Sequence, residues 1–138
     1  MICKHCGKEI DDIGIETAQY VIAKWYLAQG KTATAFEWFK NAANNGSLEA
    51  HIALGDLYLK EQDFDTAIKW YQSSLPLCKS HNSIAEKIES ARTERNRFEF
   101  NKSYNAGLKC EKNKNYDIAI TNYENSLKFA QALNNSEL

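Results

Sequence analysis

The fold of this chain is decided by residues 35–58, which read AFEWFKNAANNGSLEAHIALGDLY. Apolar and small residues recur there at spacings of three and four, a period typical of amphipathic helices. The triplet NNG at 44–46 interrupts the pattern, and a glycine at that place favours the left-handed backbone that ends a helix. The stretch therefore predicts two helices joined by a tight turn, one over Thr32–Asn44 and one over Leu48–Lys60.

Helical spacing continues on both sides of this pair, so the predicted fold class is all-α, with about six helices. One helix is expected at 16–28, where Gly30 ends it, and another at 63–75. A capping signal then opens one long helix over 83–113. The alternative is a break near Asn96 that gives two shorter helices.

The helices form an internal repeat in which a pair of helices recurs. The second pair follows the first after 32 residues, and a third follows the second after 52. The matching positions, copy by copy, are Ala23, Tyr26, Ala35 and Phe39; Gly55, Tyr58, Ala67 and Tyr71; and Gly107, Cys110, Ala119 and Tyr123. Small residues at these places let two helices approach closely, so the aromatic side chains are interpreted as core.

Nine residues of the opening stretch resemble the Sel1-like branch of the tetratricopeptide repeat family. They are Ala35, Trp38, Ala42, Ala43, Gly46, Ala50, Leu54, Gly55 and Tyr58. The resemblance implies a short α-solenoid of three helix-turn-helix repeats in a domain over 15–138, preceded by an amino-terminal extension at 1–14. The repeats are expected at about 16–47, 48–79 and 100–133. Residues 80–99 are then an insertion that forms part of the long helix.

The resemblance also implies a protein-protein interaction scaffold, because the first helix of each repeat lines the concave wall of such a solenoid. A peptide or protein partner is therefore expected in this groove, held by apolar anchors. The register of the repeats assigns the groove to Tyr20, Lys24, Leu27, Ile52, Asp56, Leu59, Tyr104, Leu108 and Glu111. The alternative is that these side chains face only water or a neighbouring chain.

The amino terminus, MICKHCGKEIDD at 1–12, carries a C-x-x-C-G motif. It is similar to the first half of a bacterial zinc-ribbon knuckle, in which two thiolates would bind one zinc ion. Cys3 and Cys6 are only two of the four ligands that a structural zinc needs, so the site is incomplete. The remaining ligands are expected from His5, Cys78, His81, Cys110 or the cysteines of a second chain. A redox pair and a metal-free remnant remain open as readings of the motif.

A zinc site shared by two chains would make the protein a homodimer and a metal-linked assembly element, which is the main alternative function. A lesser alternative is nucleic-acid binding through residues 79–114, which contain nine Lys and Arg but only five Glu. Glu89 with Arg92, Glu94 with Arg97 and Glu99 with Lys102, each three residues apart, indicate a salt-bridged exposed helix instead. The overall charge of −1 gives no general attraction to nucleic acid.

Three further classes are disfavoured by the sequence. No histidine accompanies a serine or cysteine in a recognisable nucleophile motif, so an enzyme is not expected. No apolar run approaches the roughly 18 residues of a membrane span, so no membrane partner is expected. Four scattered cysteines without an apolar leader are typical of a reduced, cytoplasmic protein.

Overall fold

The computed structural model describes residues 14–79 and 81–136, and the regular elements in this part of the chain are helices, with no strand among them. Six α-helices occur there, and a short 3-10 helix at Leu75–Leu77 follows the fourth. The α-helices are α1 Ile15–Ala28, α2 Thr32–Asn44, α3 Leu48–Lys60, α4 Phe64–Ser74, α5 Asn82–Lys112 and α6 Tyr116–Ser136. The predicted all-α class is confirmed.

The helix bounds follow the local signals closely. Both helices of the opening stretch, α2 and α3, begin and end at the predicted residues. α4 ends at Ser74 because Pro76, in the 3-10 helix after it, has no N–H to continue an α-helix. α5 begins at Asn82 and continues for 31 residues without a break near Asn96, which confirms the single long helix.

The turns within three helical hairpins, α1–α2, α3–α4 and α5–α6, share one backbone geometry. Each turn has one residue in the left-handed region, with φ of 75° at Gly30, 62° at Gln62 and 61° at Lys114. The N–H of that residue donates to the carbonyl three residues back, and the next N–H donates to the carbonyl five residues back, all at 2.9 to 3.0 Å. This is the Schellman ending of a helix, and in the three hairpins it recurs at the spacing of the sequence repeat. The turn between α2 and α3 has the same ending at Gly46, with a φ of 93°.

A glycine on the first helix meets a tyrosine ring on the second helix in two of these hairpins. A Cβ atom at Gly55 would overlap the ring of Tyr71, and one at Gly107 would lie 2.6 Å from Cε1 of Tyr123. Both glycines are therefore required by the close approach of the helices rather than by a turn. In the first hairpin a fully buried alanine, Ala23, occupies the equivalent position.

The chain divides into two compact units, with the boundary between Ala85 and Glu86 inside α5. The described core of unit 1 joins its first two hairpins, because α2 packs on both α1 and α3. Its buried residues are Ala23, Ala35, Phe39, Ala42, Ala43, Ala50 and Leu54. The rings of Phe36 and Tyr58 meet edge to face at 5.2 Å between α2 and α3, and both rings pack against this buried cluster.

Unit 2 contains α5 from Glu86 onward and α6. The two helices form the third hairpin, in which the ring centroids of Tyr104 and Tyr123 lie 5.7 Å apart at an interplanar angle of 51°. The equivalent pair of the first hairpin, Tyr20 and Phe39, has 5.8 Å and 54°. The first and third hairpins therefore hold their facing rings in the same way, although 84 residues separate them.

Candidate partner-binding surface

The groove residues of unit 1 lie on the first helices of its two hairpins. Tyr20 on α1 is half-buried over the ring of Phe39, and the Nζ atom of Lys24 lies 5.6 Å from the centroid of the Tyr20 ring. A cation over an aromatic face is attracted by the ring quadrupole. Tyr20 therefore contacts a buried ring of α2 and lies close to a charged side chain of its own helix.

Two carboxylates of α3 act electrostatically on the phenol of Tyr20 on α1. Burial raises the pKa of the phenol, and the negative charges of Glu49 and Asp56 raise it further. Both carboxylates belong to α3, so they lie within electrostatic range of a side chain on α1. Tyr20 on α1 therefore interacts electrostatically with Asp56 and with Glu49, which the sequence did not single out. The groove expected from these positions stays a prediction.

Asp56 is held in place by the second helix of its own hairpin. Its carboxylate accepts a hydrogen bond of 2.5 Å from the hydroxyl of Tyr71, a side chain that is almost fully buried. A charged acceptor makes such a bond stronger than a neutral one. Asp56 itself is exposed, so its negative charge is presented to solvent from a fixed position.

The other predicted groove residues of unit 1 are apolar. Ile52 and Leu59 on α3 are half-buried, whereas Leu27 lies at the exposed end of α1. The carbonyls of Leu27 and Leu59 accept the Schellman hydrogen bonds, so both residues lie beside the turns of their hairpins. The surface of unit 1 thus combines apolar side chains with one lysine and two carboxylates.

Tyr104, Leu108 and Glu111 occupy the same positions on α5 in unit 2. Tyr104 is 43% exposed and stacks on Phe100 at a centroid distance of 5.8 Å. Glu111 accepts a hydrogen bond of 2.8 Å from the Tyr123 hydroxyl, and this bond, more than burial, raises the pKa of Tyr123 to about 12. Leu108 is exposed between them along the helix.

Sequence reasoning missed a hydrophobic pocket of about 430 Å³ on unit 2. Its walls are mostly aromatic and aliphatic, and both helices of the third hairpin contribute to them. The lining residues are Phe100, Tyr104, Ile120, Tyr123, Glu124, Ser126, Leu127 and Ala130. The alignment of the repeats could have predicted an apolar surface here. Several of these residues align with α1–α2 residues that lie in the unit 1 core or pack against it.

The predicted zinc ligands Cys3 and Cys6, with His5, lie outside the described residues. Cys78 and Cys110 are half-buried thiols, and His81 is exposed. Within residues 14–79 and 81–136, no cluster of three or more His, Cys, Asp or Glu side chains has an arrangement that could hold a metal ion. The zinc site stays a prediction.

His51, the remaining histidine, is buried and its ring has two protein partners. Its Nδ1 lies 2.7 Å from the carbonyl oxygen of Ser47, which accepts, and the ring meets Trp70 edge to face at 5.6 Å.

Of the predicted ion pairs on α5, Glu89 and Arg92 are joined at 2.8 Å on the exposed surface. That pair neutralises part of the basic segment considered for nucleic-acid binding.

No protein-family model matches this chain, and no curated protein is significantly similar to it. The resemblance to Sel1-like and tetratricopeptide repeats therefore stays a prediction, together with the solenoid that it implies. In the part of the chain that the structure describes, none of the helices combines the length and apolar character needed to cross a membrane.

Proposed function

We propose that this protein is an interaction scaffold that binds a peptide or protein segment through the first helices of its hairpins. In unit 1 the binding surface consists of Tyr20, Lys24, Ile52 and Asp56, flanked by Leu27 and Leu59. Tyr104, Leu108 and Glu111 provide the corresponding positions of unit 2. The scaffold is expected to act without catalysis.

The observation that supports this proposal is the fixed geometry around Tyr20 and Asp56. Tyr20 rests on Phe39, and Asp56 is anchored by Tyr71, so neither side chain has to be ordered when a partner arrives. Binding loses less conformational entropy when the contact groups are already in place. Tyrosine is also enriched among the residues that contribute most to protein interfaces.

The chemistry of the surface describes the partner segment. The apolar side chains of Ile52 and Tyr20 suit an aliphatic or aromatic anchor, whereas Glu49 and Asp56 suit a lysine or arginine a few residues away. Opposite charges placed in this way set orientation and specificity more than affinity. We therefore expect a segment that pairs hydrophobic anchors with at least one basic residue.

A random peptide library displayed on phage tests the proposal, because it presents many candidate segments to the surface at once. Peptides selected on the wild-type chain should bind at least tenfold more weakly to Lys24→Glu and to Ile52→Ser, because both changes alter the surface. The matched controls are Lys69→Glu on α4 and Leu77→Ser in the 3-10 helix, which are exposed elsewhere in unit 1. Equal losses in the controls, or no enrichment of any peptide, would reject the surface.

A further inference from the structure

Two apolar faces, one at each end of the described chain, correspond by register to the two sides of a contact inside unit 1. That contact is the packing of α3 on the α1–α2 hairpin. On the α1–α2 side the buried cluster and the side chains packed against it include Tyr20, Phe36, Phe39, Ala42 and Ala43. On the α3 side they include Ala50, Ala53, Leu54 and Leu57.

The first exposed face lies on unit 2 and is called the α5–α6 face. It consists of Tyr104, Ile120, Tyr123 and Leu127 around Ser126, which is only 5% exposed. These residues follow by 84 positions the α1–α2 residues named above. Here the equivalent surface is open: it forms the hydrophobic pocket, and Ile120 and Leu127 are 55% and 56% exposed. The matching geometry of the facing rings in the two hairpins supports the equivalence.

The second exposed face lies on α1 and is called the α1 face. It consists of Ala18, Val21, Ile22 and Trp25, which precede by 32 residues the α3 residues that pack on the first hairpin. Val21 is 59% and Trp25 is 56% exposed. Exposed apolar side chains grouped on one helix face are typical of an interaction site rather than of scattered surface residues.

We propose that these faces bind each other between two copies of the chain, so that α1 of one copy packs on α5–α6 of the next as α3 packs on α1–α2. The occupant of the hydrophobic pocket is therefore the α1 helix of a second copy. Such a contact joins two different surfaces, which makes the association head-to-tail rather than twofold symmetric.

Sedimentation velocity of the full chain and of two single variants tests the head-to-tail contact. The wild type should show an average mass that rises with concentration from about 10 μM to about 1 mM, the range of weak association. Val21→Glu on the α1 face and Leu127→Glu on the α5–α6 face should each stay monomeric. Both side chains are exposed, so circular dichroism should show unchanged helix content.

The decisive measurement is a mixture of the two variants. Each variant keeps the face that the other has lost, so a mixture should form a one-to-one heterodimer and nothing larger, whereas the double variant should pair with neither. A monomeric mixture, or a wild-type chain that stays monomeric throughout, would overturn the proposal. Loss of wild-type association with chelator or in Cys3→Ser would overturn it too, because assembly would then be metal-linked.

Discussion

Tyr71 and Tyr123 lie at equivalent positions of two hairpins, and each donates a hydrogen bond to a carboxylate on the first helix. Each ring also lies against a glycine of that helix. Phe39 takes the equivalent position in the first hairpin, has no hydroxyl, and is accompanied by Ala23. In both hairpins that have a tyrosine at this position, the hydroxyl bond to a carboxylate and the glycine against the ring therefore occur together.

Gly55→Ala should lower the free energy of unfolding by about 1–3 kcal/mol, because the new Cβ overlaps a buried ring. If the hydroxyl holds the ring in place, combining this change with Tyr71→Phe should cost less than the two single changes together, since the freed ring can shift. Urea denaturation of the four proteins measures the coupling. Strictly additive losses would show that the hydrogen bond does not set the ring position.

Tyr123 should titrate with a pKa of about 12, against 10.0 for an ordinary tyrosine. Because only the protonated phenol donates to Glu111, the folded state holds this proton more tightly than the unfolded state does. The stabilisation is therefore complete below pH 10 and is lost as the pH rises toward 12. The difference in tyrosinate absorbance between wild type and Tyr123→Phe measures this pKa.

Glu111→Gln provides the control for that titration. It removes the charged acceptor while keeping the size of the side chain, so the pKa of Tyr123 should fall toward 10.0. A wild type and a Glu111→Gln variant with the same titration curve would contradict the assigned cause.

Among the helices and turns, the repeated element is the Schellman ending of the first helix in each hairpin. Glycine occupies the left-handed position once, at Gly30, whereas the other two turns use Gln62 and Lys114. A side chain in that region costs roughly 1–2 kcal/mol. The hydrogen bonds are nonetheless equally short in all three turns, so the element forms in spite of this cost.

Gln62→Gly and Lys114→Gly should each raise the free energy of unfolding by about 0.5–1 kcal/mol, because the relief of strain exceeds the added entropy of the unfolded chain. Gln29→Gly is the matched control: Gln29 has a φ of −83°, so glycine relieves nothing there and should lower stability slightly. Thermal and urea unfolding measure all three. Destabilisation at Gln62 and Lys114 would mean that their side chains make contacts that outweigh the strain.

Because α5 is unbroken, proline in its middle should destabilise the fold far more than proline at its start. Asn96→Pro should cost about 3 kcal/mol or more, because proline removes a hydrogen bond and clashes with the preceding turn in a helix interior. Asn82→Pro should stay close to the wild type, since the first helical position has no intrahelical bond to lose. Unfolding followed by circular dichroism measures both variants. Equal stability of the two would place a natural break near Asn96.

At the scale of the whole molecule, the two proposed kinds of surface differ in composition and share only Tyr104. The first-helix surface combines polar and apolar groups, whereas the α1 and α5–α6 faces are mainly apolar. Leu127→Glu should consequently abolish self-association and leave the binding of selected peptides to unit 1 within twofold of the wild type. Isothermal titration of the monomeric variant measures this, and a large loss of peptide affinity would show that the two surfaces are coupled.

The sequence was sufficient for the hairpins because their signals are local. Glycine or a polar cap at a turn, and apolar residues at helical spacing, fixed the bounds of α2 and α3. It was insufficient for Gln62, since nothing in a glutamine indicates a positive φ except alignment with Gly30. The sequence did not predict the pocket beside Leu127. Helical periodicity shows that this surface is apolar, but it does not show whether another helix packs on it.

The use of glutamine and lysine in two left-handed turns has a consequence for how this protein can change. Glycine at either position is expected to raise the free energy of unfolding without changing a residue of the first-helix surface or of either apolar face. Most substitutions lower the free energy of unfolding. A chain with a higher free energy of unfolding can therefore accept more substitutions at an interface before it unfolds. Under the proposed function, a chain that first acquired glycine at these turns would tolerate more destabilising substitutions on its binding surface before it unfolded.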